Sequence, residues 1–255
     1  MSGPLAGEIA LVTGASGGLG RRFAVALAEQ GATVVATARR KDRLDEVAAE
    51  IANGGGRCVP WALDLENDDL GEALARISDE VGLITILVNN AAAVDGRRAH
   101  KMPVELTDTV LDTNLRAPWL LATGVAARLI EAGRGGRIVN ISSIAATNYG
   151  PDSAPAALYS VTKAALNRMT EVLGVEWARF GINVNGIEPG FVHTEMVDGM
   201  MERTGLTVDQ VAARQPRKRM MTPADLDGTL LYLVGPASAT VTGTVVVVDD
   251  GGFGR

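Results

Sequence analysis

The sequence predicts an α/β fold, a doubly wound parallel sheet of about seven strands flanked by helices, and three observations lead there. Short β-branched runs alternate along the chain with longer stretches rich in alanine and leucine. The runs are apolar throughout rather than alternating, which is the pattern of strands covered by helices on both faces. Glycines punctuate the joints, as at Gly31, Gly54-Gly55-Gly56 and Gly133 to Gly136. A strand–helix–strand rhythm of this kind closes into a parallel sheet with right-handed crossovers.

Taken in order, the strands are expected at Ile9–Thr13, Thr33–Thr37, Arg57–Ala62, Ile86–Asn89, Arg137–Ile141, Asn183–Ile187 and Thr244–Val248. Helices are expected at Leu19–Gln30, Lys41–Asn53, Asp68–Val81, Val104–Ile130, Ala156–Phe180 and Pro223–Val234. The segment from Phe191 to Met221 breaks the rhythm. It is rich in methionine (Met196, Met200, Met201, Met220, Met221) and ends in the basic run Arg217-Lys218-Arg219. It reads as a lid, about 191–221, over the C-terminal edge of the sheet, with a peripheral helix pair as the plainer alternative. Methionine suits either role because its unbranched chain fills irregular gaps. No repeat or linker interrupts the chain, so residues 1–255 read as a single domain.

Composition excludes several classes. A chain of 255 residues with 47% hydrophobic residues can build a sizeable core without disulfides or structural metals. The net charge of −6 gives no basic face for nucleic acid. The one cysteine, Cys58, sits in an apolar stretch and reads as a structural thiol. Neither His100 nor His193 has a partner at a metal-ligand spacing, so no metal is expected. There is no signal-peptide pattern and no apolar run of ~18 residues or more, so a soluble cytoplasmic protein without a membrane partner is the expectation.

Directly after the first strand comes Thr13-Gly14-Ala15-Ser16-Gly17-Gly18-Leu19-Gly20, and a helix starts there. Glycines at 14, 18 and 20 let the backbone turn sharply and approach a pyrophosphate, whose charge the N–H groups of the helix start then face. The spacing is G-x3-G-x-G rather than the G-x-G-x-x-G of long-chain dinucleotide enzymes. This stretch resembles the signature of the short-chain dehydrogenase/reductase family, whose members have a Rossmann-type fold, and further motifs follow in that family's order. Asn89-Asn90-Ala91-Ala92 resembles its Asn-Asn-Ala-Gly turn, with Ala92 in place of the usual glycine. Asn114, Ser142-Ser143, Tyr159-Ser160-Val161-Thr162-Lys163, Pro189-Gly190 with Thr194, and Asp249-Asp250-Gly251-Gly252 complete a set that spans essentially the whole chain.

The resemblance, which is closest to the 3-oxoacyl-reductase-like branch, implies a nicotinamide dinucleotide. Its expected contacts are Gly14, Ser16, Gly18, Leu19 and Gly20 in the first turn, then Leu65, Asn90, Ala91, Tyr159, Lys163, Pro189, Gly190, Val192 and Thr194. Asp64 resembles the family's adenine-contacting aspartate, with helix capping as the alternative. NAD-preferring relatives carry an acidic residue at the end of the second strand. Here that segment reads Thr37-Ala38-Arg39-Arg40-Lys41, and a guanidinium suits a 2′-phosphate through paired, charge-assisted bonds. NADP(H) is therefore the preferred cofactor, with Arg39 the first candidate for the phosphate and Arg40 the second. NAD(H) and a merely solvated basic patch stay open.

Tyr159 and Lys163 stand four residues apart and project from one helix face. An unperturbed tyrosine has a pKa of about 10 and is a poor acid or base at neutral pH; a nearby ammonium and the cofactor's positive ring would lower it. The resemblance implies that Tyr159 gives a proton to a carbonyl oxygen as hydride reaches the carbon, that Ser143 orients that oxygen (Ser142 is the alternative), and that Asn114 holds a water linking Lys163 to solvent, with bonding to backbone inside the helix bundle as its alternative. His193 is not needed as a base. The stretch from Ala145 to Leu158 is expected to border the substrate mouth. Ala145, Tyr149, Phe191, Met196 and Met200 are the candidate pocket residues, with Ala93 and Val94 nearby.

They suggest an apolar pocket for a ketone, aldehyde or secondary alcohol. The basic run at 217–219 suggests, alternatively, an acyl carrier protein bearing a 3-oxoacyl group, and a silent nucleotide sensor is the remote third reading. Family resemblance further implies a homotetramer or homodimer through the long helices, where Gly174 and Ala178 would permit close approach. Replacing Tyr159 with Phe is expected to abolish turnover while leaving cofactor affinity nearly intact; steady-state rates and a binding titration decide it, and substantial retained activity would overturn the assignment.

Overall fold

The computed structural model describes residues 3–150 and 155–252. Seven parallel strands stand in the order β3-β2-β1-β4-β5-β6-β7. They are β1 (Ile9–Thr13), β2 (Thr33–Ala38), β3 (Arg57–Ala62), β4 (Ile86–Asn89), β5 (Gly136–Ile141), β6 (Ile182–Pro189) and β7 (Val245–Val248). Every expected strand is present to within two residues at each end. β1 pairs with β2 on one side, Val12 beside Ala36, and with β4 on the other, Val12 beside Val88. The chain thus winds outward through β2 and β3, then returns to the middle to wind the other way. This reversal opens a crevice beyond the carboxyl ends of β1 and β4, where ligands bind in open α/β sheets.

Helices α1 (Gly18–Glu29), α2 (Lys41–Asn53) and α9 (Asp227–Val234) cover one face, and α3 (Leu70–Glu80), α5 (Ala117–Glu131) and α6 (Ala157–Trp177) cover the other. The first core gathers Phe23, Leu27, Leu44, Val47 and Leu230 against Val12, Val34 and Val88. The second gathers Leu74, Ile77, Leu121, Leu129 and Leu173 against Leu11, Val35 and Val184. The central strands β1, β4 and β6 are buried almost throughout, as doubly covered strands must be. β3 and β7 are the sheet edges and only half-buried, so the expectation of double cover fails there. The edge also accommodates Pro60 inside β3, since a proline lacks a ladder donor. Cys58 in that strand is half-buried, and burial pushes its thiol up to about 11, which suits a structural thiol.

One expectation needs correction. The helix expected over Val104–Ile130 is divided: α4 (Val104–Leu111) passes through a wider π turn at Asp112–Arg116 into α5. Pro118 is a sufficient cause, because it has no N–H to return to the Asn114 carbonyl one turn earlier. The methionine-rich segment forms two short helices, α7 (Glu195–Thr204) and α8 (Val208–Arg214). It leaves and rejoins the domain at one place, where Met221 N donates to the Phe191 carbonyl at 3.0 Å and His193 N to the Met221 carbonyl at 2.8 Å.

A buried polar chain fixes α6 against the sheet. Asn89 Nδ2 donates to Asn140 Oδ1 at 2.9 Å, and Asn140 Nδ2 donates to Thr170 Oγ1 at 2.9 Å. Gly174 on the same helix lets it approach the chain's own backbone: a Cβ there would stand 2.6 Å from Gly243 Cα. Close packing at Gly174 is therefore met within the chain, which removes that glycine as a sign of a subunit interface. Gly174→Ala forces α6 away from the loop before β7 and is expected to destabilise the fold by about 1–3 kcal/mol. Denaturant unfolding measures this, and an unchanged midpoint would contradict the contact.

Candidate active site

The crevice begins where β1 ends. Thr13 Oγ1 accepts from Asn90 N at 3.0 Å and from Ala91 N at 3.1 Å, while Asn90 Nδ2 donates to the Thr13 carbonyl at 2.9 Å. The turns after β1 and β4 are thereby locked together. Gly14, with φ +66°, lies so close to the second turn that a Cβ would stand 2.9 Å from Ala91 Cα. The first turn of α1 has no acidic residue, and Gly17 ahead of it offers no side chain to cap it. Gly17, Gly18 and Leu19 at this helix start line the crevice, and among the described residues no side chain caps them, which is the chemistry of an anion seat. A pyrophosphate fits these residues.

The crevice has a volume of about 510 Å³ and brings most of the expected residues together. Gly14, Ser16, Gly18 and Leu19 line it beyond β1, with Asn90 and Ala91 beside Gly14 and Thr194 beside Gly18; Pro189, Gly190 and Val192 also line it, as do Ser143 beyond β5 and Tyr159 and Lys163 on α6. Gly20 is the exception among the glycines. It lies off the crevice and packs against the Gly14 carbonyl and Asn90, where any side chain would collide. Its role is to let α1 approach the sheet.

Lys163 is 2% exposed, and its ammonium donates to the Ile141 carbonyl at 2.7 Å and lies 5.6 Å from the centre of the Tyr159 ring. Burial lowers its pKa to about 8. Burial raises Tyr159 above the ordinary tyrosine value, while a hydrogen bond with the Ser143 side chain pulls the other way. Loss of water thus outweighs the Ser143 bond, and the expected lowering by the neighbouring ammonium is not found in the polypeptide alone. Ser143 Oγ also accepts from Ala145 N at 3.1 Å. Ser142, the alternative, donates to the Lys163 carbonyl at 3.2 Å and so braces α6.

Asn114 bonds backbone, the alternative reading of its position. Its side chain is fully buried: Oδ1 accepts from Ala93 N at 2.7 Å, and Nδ2 donates to the Ala93 carbonyl at 2.9 Å and to Thr162 Oγ1 at 3.1 Å. It fastens the β4 turn to α6. His193 is exposed, lies outside the crevice and pairs with Asp198 at 3.0 Å.

At the other end β2 closes with Ala38 instead of a carboxylate, and Arg39 and Arg40 form the rim. Both guanidiniums already face carboxylates, Arg39 with Glu66 at 3.7 Å and Arg40 with Glu195 at 3.8 Å. Arg40 also reaches Ser16 Oγ at 3.4 Å. Asp64 accepts from Glu66 N at 3.0 Å and from Asn67 Nδ2 at 3.1 Å, bonds that hold its carboxyl below the usual range. It closes the turn after β3, whereas Asp69 caps α3. Asp64 and Leu65 both line the crevice.

The substrate side was read least well. Met196 lines the crevice, but Ala145, Tyr149, Phe191 and Met200 do not. Ala145 is turned into the short 3-10 helix that Ser143 caps, Tyr149 points outward at 48% exposure, and the Phe191 backbone belongs to the bridge with Met221. Val94 also lies off the wall, while Ala93 is on it, and 151–154 of the expected mouth fall outside the described residues. Ala92, Thr109, Thr113, Glu195 and Val197 line the crevice and were missed. The pair Thr109 and Thr113, one helical turn apart, was the available signal.

The chain is similar along its length to several known proteins. The family model described as enoyl-(acyl carrier protein) reductase matches residues 14–253. Gluconate 5-dehydrogenase of Gluconobacter oxydans is 33% identical, covering 97% of this chain and 95% of that protein. The 3-oxoacyl-(acyl-carrier-protein) reductase of Thermotoga maritima is 31% identical, covering 97% and 98%. A variant of actinorhodin polyketide ketoreductase, solved with NADPH, superposes with a TM-score of 0.91 at 31% identity, covering 99% of each chain.

The depressed Lys163 pKa has a consequence for stability. Unfolded, the group titrates near its ordinary 10.5; folded, near 8. Between those values the unfolded chain binds more protons, so stability rises with pH, and below about 8 the fold bears the full cost of the buried charge. Lys163→Met is expected to be more stable than the wild type near neutral pH by about 1–3 kcal/mol, with the advantage shrinking towards pH 10.5. Denaturant midpoints at neutral and alkaline pH test this. A less stable variant at neutral pH, or a pH-independent gain, would contradict it.

Proposed function

The chain belongs to the short-chain dehydrogenase/reductase family, and from that premise we propose that it interconverts a ketone or aldehyde and an alcohol with NADP(H), using Tyr159 as general acid and base. It is an oxidoreductase; the cofactor preference, substrate class and residue roles are this proposal. The observation that carries it is the meeting of Tyr159, Ser143 and Lys163 on one wall of a crevice whose other end is an uncapped helix start with two arginines at its rim. The dinucleotide would lie between them, held by Gly14, Gly18 and Asn90 with Pro189 to Thr194 beside its nicotinamide. When bound, it supplies or accepts the hydride.

Tyr159 donates its proton to the substrate oxygen during reduction and takes it back during oxidation. Ser143 accepts from Ala145 N and bonds Tyr159, and its O–H would turn to steady that oxygen when the substrate is bound. Lys163 places a positive charge beside the phenol and favours the phenolate form as the proton leaves. Ala92, Ala93, Met196 and Val197 make the nearby wall apolar, which suits a carbonyl compound held without a carboxylate clamp.

Arg39 and Arg40 favour NADP(H), whose 2′-phosphate would displace the carboxylates they now face. The similarity to a 3-oxoacyl-(acyl-carrier-protein) reductase supports a carrier-bound substrate as the second reading. The basic run invoked for it is largely engaged within the chain, however. Arg219 bonds Asp225 and Asp250, Arg217 lies 3.4 Å from Asp250, and Lys218 donates to the Ala213 carbonyl. The segment 191–221 acts as the lid of a single catalytic domain. Exposed Trp119 on α5 with Val161 and Val175 on α6 suit association into a homodimer or homotetramer.

The test is nucleotide oxidation by purified protein with NADPH and NADH across keto sugar acids, alkyl and aryl ketones and 3-oxoacyl thioesters. NADPH should be preferred, and Arg39→Ser should cut that preference by about tenfold through loss of a charge-assisted bond. Faster use of NADH by the wild type would overturn the cofactor assignment, and no turnover with either nucleotide would overturn the reaction.

A further inference from the structure

Glu188 is a carboxylic acid in the core of the molecule, 2% exposed, at the end of β6 just before Pro189-Gly190. Its two oxygens reach two different segments. Thr147 Oγ1 donates to Oε1 at 2.6 Å, and Asn167 Nδ2 donates to Oε2 at 2.9 Å. Both partners are neutral. Burying a carboxyl group is costly unless its hydrogen bonds are well made, and packing alone would favour an apolar residue here.

What the two partners are attached to gives the group its meaning. Thr147 follows the 3-10 turn Ile144–Ala146, whose cap is the Ser143 hydroxyl. That turn has left the sheet, and the Thr147 bond ties it back to β6. Asn167 stands one helical turn beyond Lys163, so Tyr159, Lys163 and Asn167 form one stripe along α6. The acid thus grips the segment bearing Ser143 with one oxygen and the Tyr159–Lys163 face with the other. It does so from the strand that leads into the Pro189-Gly190 turn.

We propose that Glu188 is a positioning residue for carbonyl reduction, setting the distance between Ser143 and Tyr159 by clamping their segments to β6. The inference rests on the reaction proposed above. Thr147→Val cuts one arm of the clamp while keeping the acid, and Thr147→Ser keeps both. With its Ser143 partner loosened, Tyr159 should ionise at higher pH in Thr147→Val by about half a unit or more, and at the wild-type pH in Thr147→Ser. Phenolate absorbance, corrected with Tyr159→Phe, reads this without any substrate.

On a ketone that the wild type reduces, Glu188→Gln and Thr147→Val should lower kcat by on the order of tenfold, since small misplacements at a reacting centre are expensive. KM and the dissociation constant for NADPH should change by less than about twofold, because the clamp touches neither ligand. An unmoved Tyr159 titration in Thr147→Val, an equal shift in Thr147→Ser, or a kcat loss matched by lost NADPH affinity would overturn the proposal. Absence of turnover in the wild type would defeat the proposed reaction and leave the ionisation test standing.

Discussion

The site depends on keeping one ammonium out of water. Lys163 lies on α6 with its charge 2.7 Å from a single backbone carbonyl, and burial drives its pKa down to about 8. The surrounding structure is what makes that tolerable. The chain Asn89–Asn140–Thr170 and the Gly174–Gly243 approach hold α6 against the sheet. The Ser142 bond to the Lys163 carbonyl fixes the helix at the level of the reacting groups. A charge held in this way acts on its neighbours through little intervening water, which is where electrostatic effects are largest.

The sheet order decides where that charge can be used. Because the chain reverses direction between β1 and β4, their carboxyl ends open onto one crevice, and the turns beyond them are bonded to each other through Thr13 and Asn90. The glycine turn provides an anion seat at one end of the crevice. The wall formed by β5, α6 and the Pro189-Gly190 turn carries the groups proposed for proton chemistry at the other. An extended dinucleotide is the kind of molecule that spans such a pair of sites.

Much of this was legible in the sequence because it is local. The turn Thr13 to Gly20, the four-residue spacing of Tyr159 and Lys163, and the apolar strands each express a requirement on neighbouring residues. The misread parts depend on distant ones. Gly174 looked like a surface for a partner until Gly243, far along the chain, was seen against it. Which of its alternative bonds Asn114 makes depends on Ala93 and Thr162, on other segments. Tyr149 and Met200 have the right chemistry for a pocket but lie off its wall, and no periodicity reports that. The carboxylates facing Arg39 and Arg40 come from Glu66 and Glu195, on separate segments.

The central claim is that Tyr159 is raised by burial in the polypeptide and is brought into range by positive charge added beside it. The direct measurement is the phenolate titration of Tyr159, read as the difference between wild type and Tyr159→Phe, in the presence and absence of NADP+. The account predicts ionisation above the ordinary tyrosine range for the protein alone and a clear shift to lower pH when NADP+ is bound. A titration that does not move, or that moves upward on binding, would contradict it.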